Sequence, residues 1–191
     1  MHELEPSPDA VSWKAALLDL FGGARTFARV GPRRHEDWCR DAAAVMARRT
    51  TDPRYWASLD RAPEINEDRS GIGAPFIPWS PEQLRQCLYE VDQQPAGRLL
   101  VALRGENYRA VGIPDFERRK DSLFGSSRSV LSRFGPDARF FTNASAAQDD
   151  ADTDLLNATT AWDCLSVYTT DCGLITVSDT EIGVFWAFWE G

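Results

Sequence analysis

Residues 174–189, LITVSDTEIGVFWAFW, carry the strongest β-strand signal in the chain. Two runs rich in β-branched and aromatic residues, 174–177 and 182–189, flank a polar turn at 178–181. This pattern is typical of an antiparallel hairpin. Since residues 184–189 are apolar at every position, both faces of the last strand should be covered, because an exposed edge of this kind would aggregate.

Further β-structure is predicted on the N-terminal side of this hairpin. Residues 163–169 read as another strand and Asp171-Cys172-Gly173 as a turn, which together with the hairpin predicts a three-stranded C-terminal meander. A short strand is expected at 138–142. The apolar run 99–103, the turn at 105–107 and the return at 108–113 predict a second β-hairpin.

Helices are predicted mainly in the N-terminal half, with a short strand at 24–30 between the first two. The first predicted helix, 9–21, begins at Pro8-Asp9 and ends at Gly22-Gly23, and the second is 35–49. A third helix begins with the capping box Ser80 to Gln83 and directs Leu84, Leu88 and Val91 inward. Two further helical pieces, 116–124 and 127–134, are separated by Gly125-Ser126. The fold class is therefore α+β, with an antiparallel sheet of five or six strands.

The 191 residues are expected to form one globular domain over 1–191, with a helical part at 9–95 and a β-rich part at 97–191. The chain has no apolar run of the roughly 18 residues that a membrane helix needs, and its first residues lack a basic region followed by an apolar one. A cytoplasmic location without membrane contact is the expectation.

The charge is unevenly distributed along the chain. The formal net charge is −8, and residues 140–191 contain 9 acids and no base. The other residues, 1–139, contain 20 acids and 21 bases, so the imbalance lies in the C-terminal quarter. Such a segment attracts cationic partners and repels phosphate backbones, which favours a basic protein partner over nucleic acid. A role in solubility alone is the alternative.

Tryptophans share this acidic quarter, and aromatic rings among carboxylates are typical of a surface that binds a basic protein. The candidate partner-binding residues are Asp149, Asp150, Asp152, Asp154, Trp162, Asp179, Glu181 and Trp189. A position in the core is the alternative for the tryptophans, and it is preferred for Trp186.

Metal and nucleophile sites have weaker support. His35 and Cys39 lie four residues apart on the predicted second helix, so with Cys164 and Cys172 they could bind zinc, or Cys39 could be a nucleophile activated by His35. Asp150-x-Asp152-x-Asp154 resembles the start of a calcium loop, but Leu155 and Ala161 replace its glycine and its last glutamate. We expect no metal, no cofactor and no assigned catalytic residue.

The segment 50–79 is rich in proline and glycine, which predicts short, broken structure that could form a pocket. Its carboxylates, Asp60, Glu64, Glu67 and Asp68, are the candidates for acid–base chemistry in a small hydrolase-like enzyme. This enzyme is the alternative to a binding protein.

The segments Trp162-Asp163, Val167-Tyr168, 173–179 and 182–189 resemble the closing strands of small acidic immunity proteins of bacterial toxin systems. The resemblance covers about 30 residues, 162–191, and has a motif of low specificity. It implies a single-domain, cytoplasmic, cofactor-free inhibitor that occludes a cognate toxin. Neither the oligomeric state nor the identity of the partner follows from it.

Overall fold

The computed structural model describes residues 8–23, 25–61, 75–157 and 163–189. Five helices lie in these residues: α1 (Ala10–Phe21), α2 (Trp38–Met46), α3 (Pro81–Gln86), α4 (Gln93–Ala102) and α5 (Phe116–Ser132). The strands are β1 (Thr26–Pro32), β2 (Leu59–Asp60), β3 (Tyr89–Val91), β4 (Arg139–Thr142), β5 (Thr170–Val177) and β6 (Glu181–Trp189). Single 3-10 turns occupy Glu106–Tyr108, Ala110–Gly112 and Ser145–Ala147.

The six strands form one antiparallel sheet in the order β2-β1-β6-β5-β4-β3. The fold class is thus α+β, and the last three strands, β4, β5 and β6, are consecutive neighbours in the sheet. The strand β6 lies between β1 and β5, which confirms that it is central, and its side chains from Glu181 to Phe188 are buried, which confirms that both of its faces are covered. Helices pack on both faces of the sheet, so the molecule has three layers.

Alternate residues of β6 divide the core in two, as the two-residue period of a strand requires. Phe185 and Ala187 face a cluster with α1, α4 and α5. On the other face, Val184 and Trp186 meet α2 and α3. Trp186 is completely buried, so the preference for a core position is confirmed.

The predicted caps of two helices are present. The Asp9 side chain accepts from the Ser12 backbone N–H at 2.7 Å, and α1 ends at Gly22. Ser80 and Gln83 form the predicted capping box, with Pro81 at the first position of α3. The helix α3 nevertheless ends at Gln86, so Leu88 and Val91 are buried beyond it rather than on it.

Three other predictions of secondary structure are wrong. The expected hairpin at 99–113 is instead the second half of α4 followed by two 3-10 turns. The break at Gly125-Ser126 is absent, because α5 is continuous. Residues 163–169 form no strand and make one isolated bridge, Ser166 to Phe76, whereas the predicted turn at 171–173 belongs to β5.

The helices come mostly from the N-terminal side, as predicted, although each of the two parts, 9–95 and 97–191, also contains elements of the other kind. Strands β1, β2 and β3 lie in the first part, and most of α4 and all of α5 lie in the second. No helix among the described residues is long and apolar enough to cross a membrane.

Candidate partner-binding surface

A short loop after β4 carries four of the candidate acidic residues. Asp149, Asp150, Asp152 and Asp154 are all exposed. The loop folds on its own side chains: a carboxylate oxygen of Asp150 accepts from the Asp152 backbone N–H, and one of Asp154 accepts from that of Leu156, both at 3.0 Å. Leu155 is buried in the core and anchors the loop. The acids are therefore presented from an ordered segment.

The loop lies beside β3, the edge strand of the sheet. The backbone N–H of Asp92, directly after β3, donates to the Ala151 carbonyl at 3.0 Å. The Tyr89 hydroxyl donates to the exposed carboxylate of Asp163 at 3.2 Å. Partial burial, then the negative charges of Asp163 and Asp149, raise the pKa of Tyr89. The Asp163 carboxylate therefore lies next to the Tyr89 hydroxyl.

We use the name acidic surface for Asp149, Asp150, Asp152, Asp154 and Asp163 together with Tyr89. Arg98 on α4 contacts Asp154 at 3.6 Å, and both side chains of the pair remain substantially exposed. An exposed ion pair of this kind is weak and leaves most of the negative charge available to a partner.

The remaining candidate residues divide between the two ends of the sheet. Trp189 is 39% exposed and pairs with Thr170 at the end of β5 nearer to Asp163. Asp179 is exposed in the turn that joins β5 to β6 at the opposite end. Seven strand residues separate the two ends, which is roughly 23 Å. Trp162 lies outside the described residues. Asp179 therefore cannot belong to one contiguous surface with Asp163 and Trp189.

Glu181 does not lie on the surface. It is 3% exposed, and its carboxylate accepts from Arg133 at 2.8 Å and from Arg54 at 3.0 Å. Arg133 also binds Asp52 through both terminal nitrogens, at 2.7 and 2.8 Å. Its guanidinium lies 4.5 Å from the Trp13 ring centroid. Glu181 is thus neutralised internally and is removed from the partner-binding set.

The carboxylates proposed for an enzyme pocket are engaged or undescribed. Asp60 accepts from Arg48 at 2.5 and 2.8 Å and lies 3.4 Å from Arg29. Two cations therefore hold it in an ion cluster between β1 and β2. Glu64, Glu67 and Asp68 lie outside the described residues.

The proposed pairing of His35 with Cys39 does not form. The helix α2 begins at Trp38, after the cap Asp37, so His35 precedes it and the four-residue helical spacing fails. Instead, His35 Nδ1 lies 2.7 Å from Asp41. Cys39 is fully buried, and burial raises the pKa of its thiol to about 11, which suppresses the nucleophilic thiolate.

The zinc and calcium alternatives gain no support. Burial raises the pKa of Cys172, and Cys172 lies in the core on β5. Among the described residues, no group of three or more His, Cys, Asp or Glu side chains is placed to hold a metal ion.

Sequence reasoning had not placed Tyr89 or Asp163 at the site. Tyr89 was assigned to a helical stretch, although the end of α3 at Gln86 puts it on an edge strand. Asp163 lies 74 residues further along the chain, and no local pattern connects the two.

No protein-family model, curated protein or solved structure matches this chain.

Proposed function

We propose that this chain is a protein-binding protein that inhibits a basic partner, as an immunity protein does, by covering it with the acidic surface. The observation that carries the proposal is the exposure of five carboxylates, four on an ordered loop and the fifth, Asp163, hydrogen-bonded to Tyr89 on the neighbouring edge strand. Such a surface speeds encounter with a cationic partner by long-range attraction. A tyrosine at its centre supplies apolar contact area with a polar end.

Order in the acidic loop supports binding rather than solubility alone. Solubility requires only that charges be exposed, whereas this loop is held by Asp150, Asp154, the Ala151 carbonyl and the buried Leu155. A loop already ordered before binding loses less conformational entropy when the partner arrives. Trp189 at the same end of the sheet adds an exposed ring.

The test passes a lysate of the source organism over three immobilised proteins and compares what each of them retains. The first is the wild type, and the second is D149N/D150N/D152N/D163N. The third, E106Q/E117Q/D121N/D137N, removes the same charge from exposed acids elsewhere. We expect the wild type and the third protein to retain the same stoichiometric basic protein, and the second to lose it.

Inhibition is then measured with the retained protein. The wild type should abolish the activity of that partner at a one-to-one ratio, and raising the salt from 50 mM to 500 mM should slow association, because about 0.5 M salt screens charges beyond a few ångströms. Equal retention by all three immobilised proteins, or no retained protein at all, would contradict the proposal.

A further inference from the structure

A groove of about 600 Å³ opens where the start of α2 meets the end of α3. Six side chains line it: His35, Glu36, Asp37, Trp38, Arg40 and Arg85. None of the residues of the acidic surface is among them. The groove therefore requires an explanation separate from partner binding.

The central feature of the groove is the pair formed by His35 and Asp41. Asp41 is 3% exposed, accepts the backbone N–H groups of Arg34 and His35 at 3.1 Å, and has its other oxygen 2.7 Å from His35 Nδ1. Burial opposes ionisation, but these hydrogen bonds outweigh it and hold the pKa of Asp41 below its ordinary value. Asp41 is therefore a fixed, charged acceptor.

A carboxylate at Nδ1 determines which nitrogen of the imidazole carries the proton. Nδ1–H donates to Asp41, so the neutral ring has its lone pair on Nε2. The His35 side chain is 48% exposed and lines the groove. An oriented, accessible imidazole with a free lone pair is the arrangement that a general base requires.

The other lining residues are two acids, Glu36 and Asp37, two arginines, Arg40 and Arg85, and the indole of Trp38. Arg40 is exposed on the first turn of α2, and Arg85 is held by Asp37 at 2.6 Å while remaining half exposed. Guanidinium groups match the oxygens of phosphate and stabilise charge that develops on them. Trp38 is fixed by stacking on Phe141, with ring centroids 4.2 Å apart, and offers a planar apolar surface.

We propose that this groove is a hydrolytic site for phosphodiesters that carry a planar ring, with His35 as the catalytic general base. Water attacks phosphorus while His35 Nε2 accepts its proton. The bond from phosphorus to the leaving oxygen breaks, and the electron pair departs with that oxygen, which then takes the proton from the imidazolium. Arg40 and Arg85 bind the phosphoryl oxygens, and Asp41 is a positioning residue.

The test uses bis(4-nitrophenyl) phosphate, which combines an anionic diester with planar rings, and follows release of 4-nitrophenolate. The chain has only two histidines, His2 and His35, so H2Q is a control that makes the same substitution at the other histidine. We expect wild type and H2Q to turn over at the same rate, and H35Q to be about 10²- to 10⁴-fold slower, the usual contribution of a general base. No turnover by the wild type, or equal turnover by H35Q, would overturn the proposal.

Two further variants separate positioning and binding from folding. In H2Q, His35 is the only histidine, so its tautomer can be read from imidazole ¹⁵N chemical shifts; adding D41N should lower kcat and change that tautomer. R40Q alters an exposed side chain and should raise KM more than it lowers kcat. An unchanged tautomer together with an unchanged KM in R40Q would show that these residues serve only the fold.

Discussion

The Asp171 side chain holds the segment before β5 to the sheet. Its two oxygens accept from the Leu165 and Ser166 backbone N–H groups, the Ser166 hydroxyl, Trp186 Nε1 and Asn143 Nδ2, at 2.5 to 3.2 Å. Burial raises the pKa of this carboxyl, while its hydrogen bonds act in the opposite direction. Because five donors converge on it, this one carboxyl connects the loop after β4, the segment before β5 and the strand β6.

We predict that Asp171→Asn destabilises the protein by about 1–3 kcal/mol. An amide has one acceptor oxygen instead of two, so at least one buried donor loses its partner. Urea unfolding followed by tryptophan fluorescence measures the change. Asp179→Asn, at an exposed turn position, is the control and should change the free energy of unfolding by no more than about 0.5 kcal/mol. Equal effects would show that the Asp171 hydrogen bonds add nothing.

At the scale of single residues, the exposure of a side chain can be predicted from the sequence better than its ion-pair partners can. The loop acids Asp149, Asp150 and Asp152 are exposed, as their cluster indicated. Glu181 has the same local composition but is buried against Arg133 and Arg54. These arginines lie 48 and 127 residues away along the chain. Side-chain pairs of such sequence separation leave no local pattern.

At the scale of elements, the close packing of β5 against β6 depends on a glycine. Gly173 pairs with Trp186 across the two strands, and a Cβ at residue 173 would lie 2.1 Å from the indole ring. The glycine thus makes room for the ring to cross β5 and donate to Asp171. Gly125, inside α5, has only the Arg128 side chain within 4.0 Å of its Cβ position.

These two glycines predict opposite effects of alanine. Gly173→Ala should destabilise by about 1–3 kcal/mol, since the added methyl forces Trp186 to move. Gly125→Ala should stabilise by about 0.5–1 kcal/mol, because alanine favours the helix interior. Chemical denaturation of both variants provides the comparison. A stabilising Gly173→Ala would contradict the packing of β5 on β6.

Asp19 joins α1 to α5 and predicts a pH dependence. Burial raises the pKa of Asp19, but hydrogen bonds from Ser126, Arg119 and Ser122 outweigh burial and lower this pKa below its ordinary value. A carboxyl with a depressed folded pKa stabilises fully above its unfolded value, and this contribution disappears as pH falls through the folded value.

Asp19→Ala should therefore cost about 1–2 kcal/mol at pH 7 and less at pH 2, because the charge-dependent part of the contribution is lost as the pH falls toward the folded pKa of Asp19. Urea unfolding at both pH values tests this. Asp121→Ala, at an exposed position on α5, should show no comparable loss at pH 7. A difference between wild type and D19A that persists unchanged at pH 2 would show that packing, not charge, links the helices.

The helices begun by caps and the C-terminal hairpin were predictable, whereas the structures at 99–113 and 163–169 depend on tertiary contacts and were not. The run 99–103 was interpreted as a strand, yet Leu99, Leu100 and Leu103 fit helical spacing and pack in one core cluster. Short apolar runs do not distinguish these two structures. At 163–169, Asp171 takes the Leu165 and Ser166 N–H groups that a strand would use. Such side-chain capture of the backbone competes with pairing.

At the scale of the whole molecule, the sheet separates two surfaces of different chemistry. The acidic surface lies at the β3 edge, and the groove with His35 lies between α2 and α3. Arg133, Arg54 and Arg48 neutralise several other acids internally. Within 140–191, Glu181 and Asp171 are buried and Asp179 lies at the opposite end of the sheet, so the acidic surface contains fewer residues than the count of 9 acids implied.

The most direct measurement is the association rate constant between the retained partner and D149K/D150K/D152K/D154K, together with the thermal midpoint of that variant. Since these four acids are exposed, the midpoint should change by only a few degrees. The association rate at low salt should fall at least 10-fold, because electrostatic steering is reversed. An unchanged association rate with a large drop in the midpoint would show that these acids hold the fold and bind no partner.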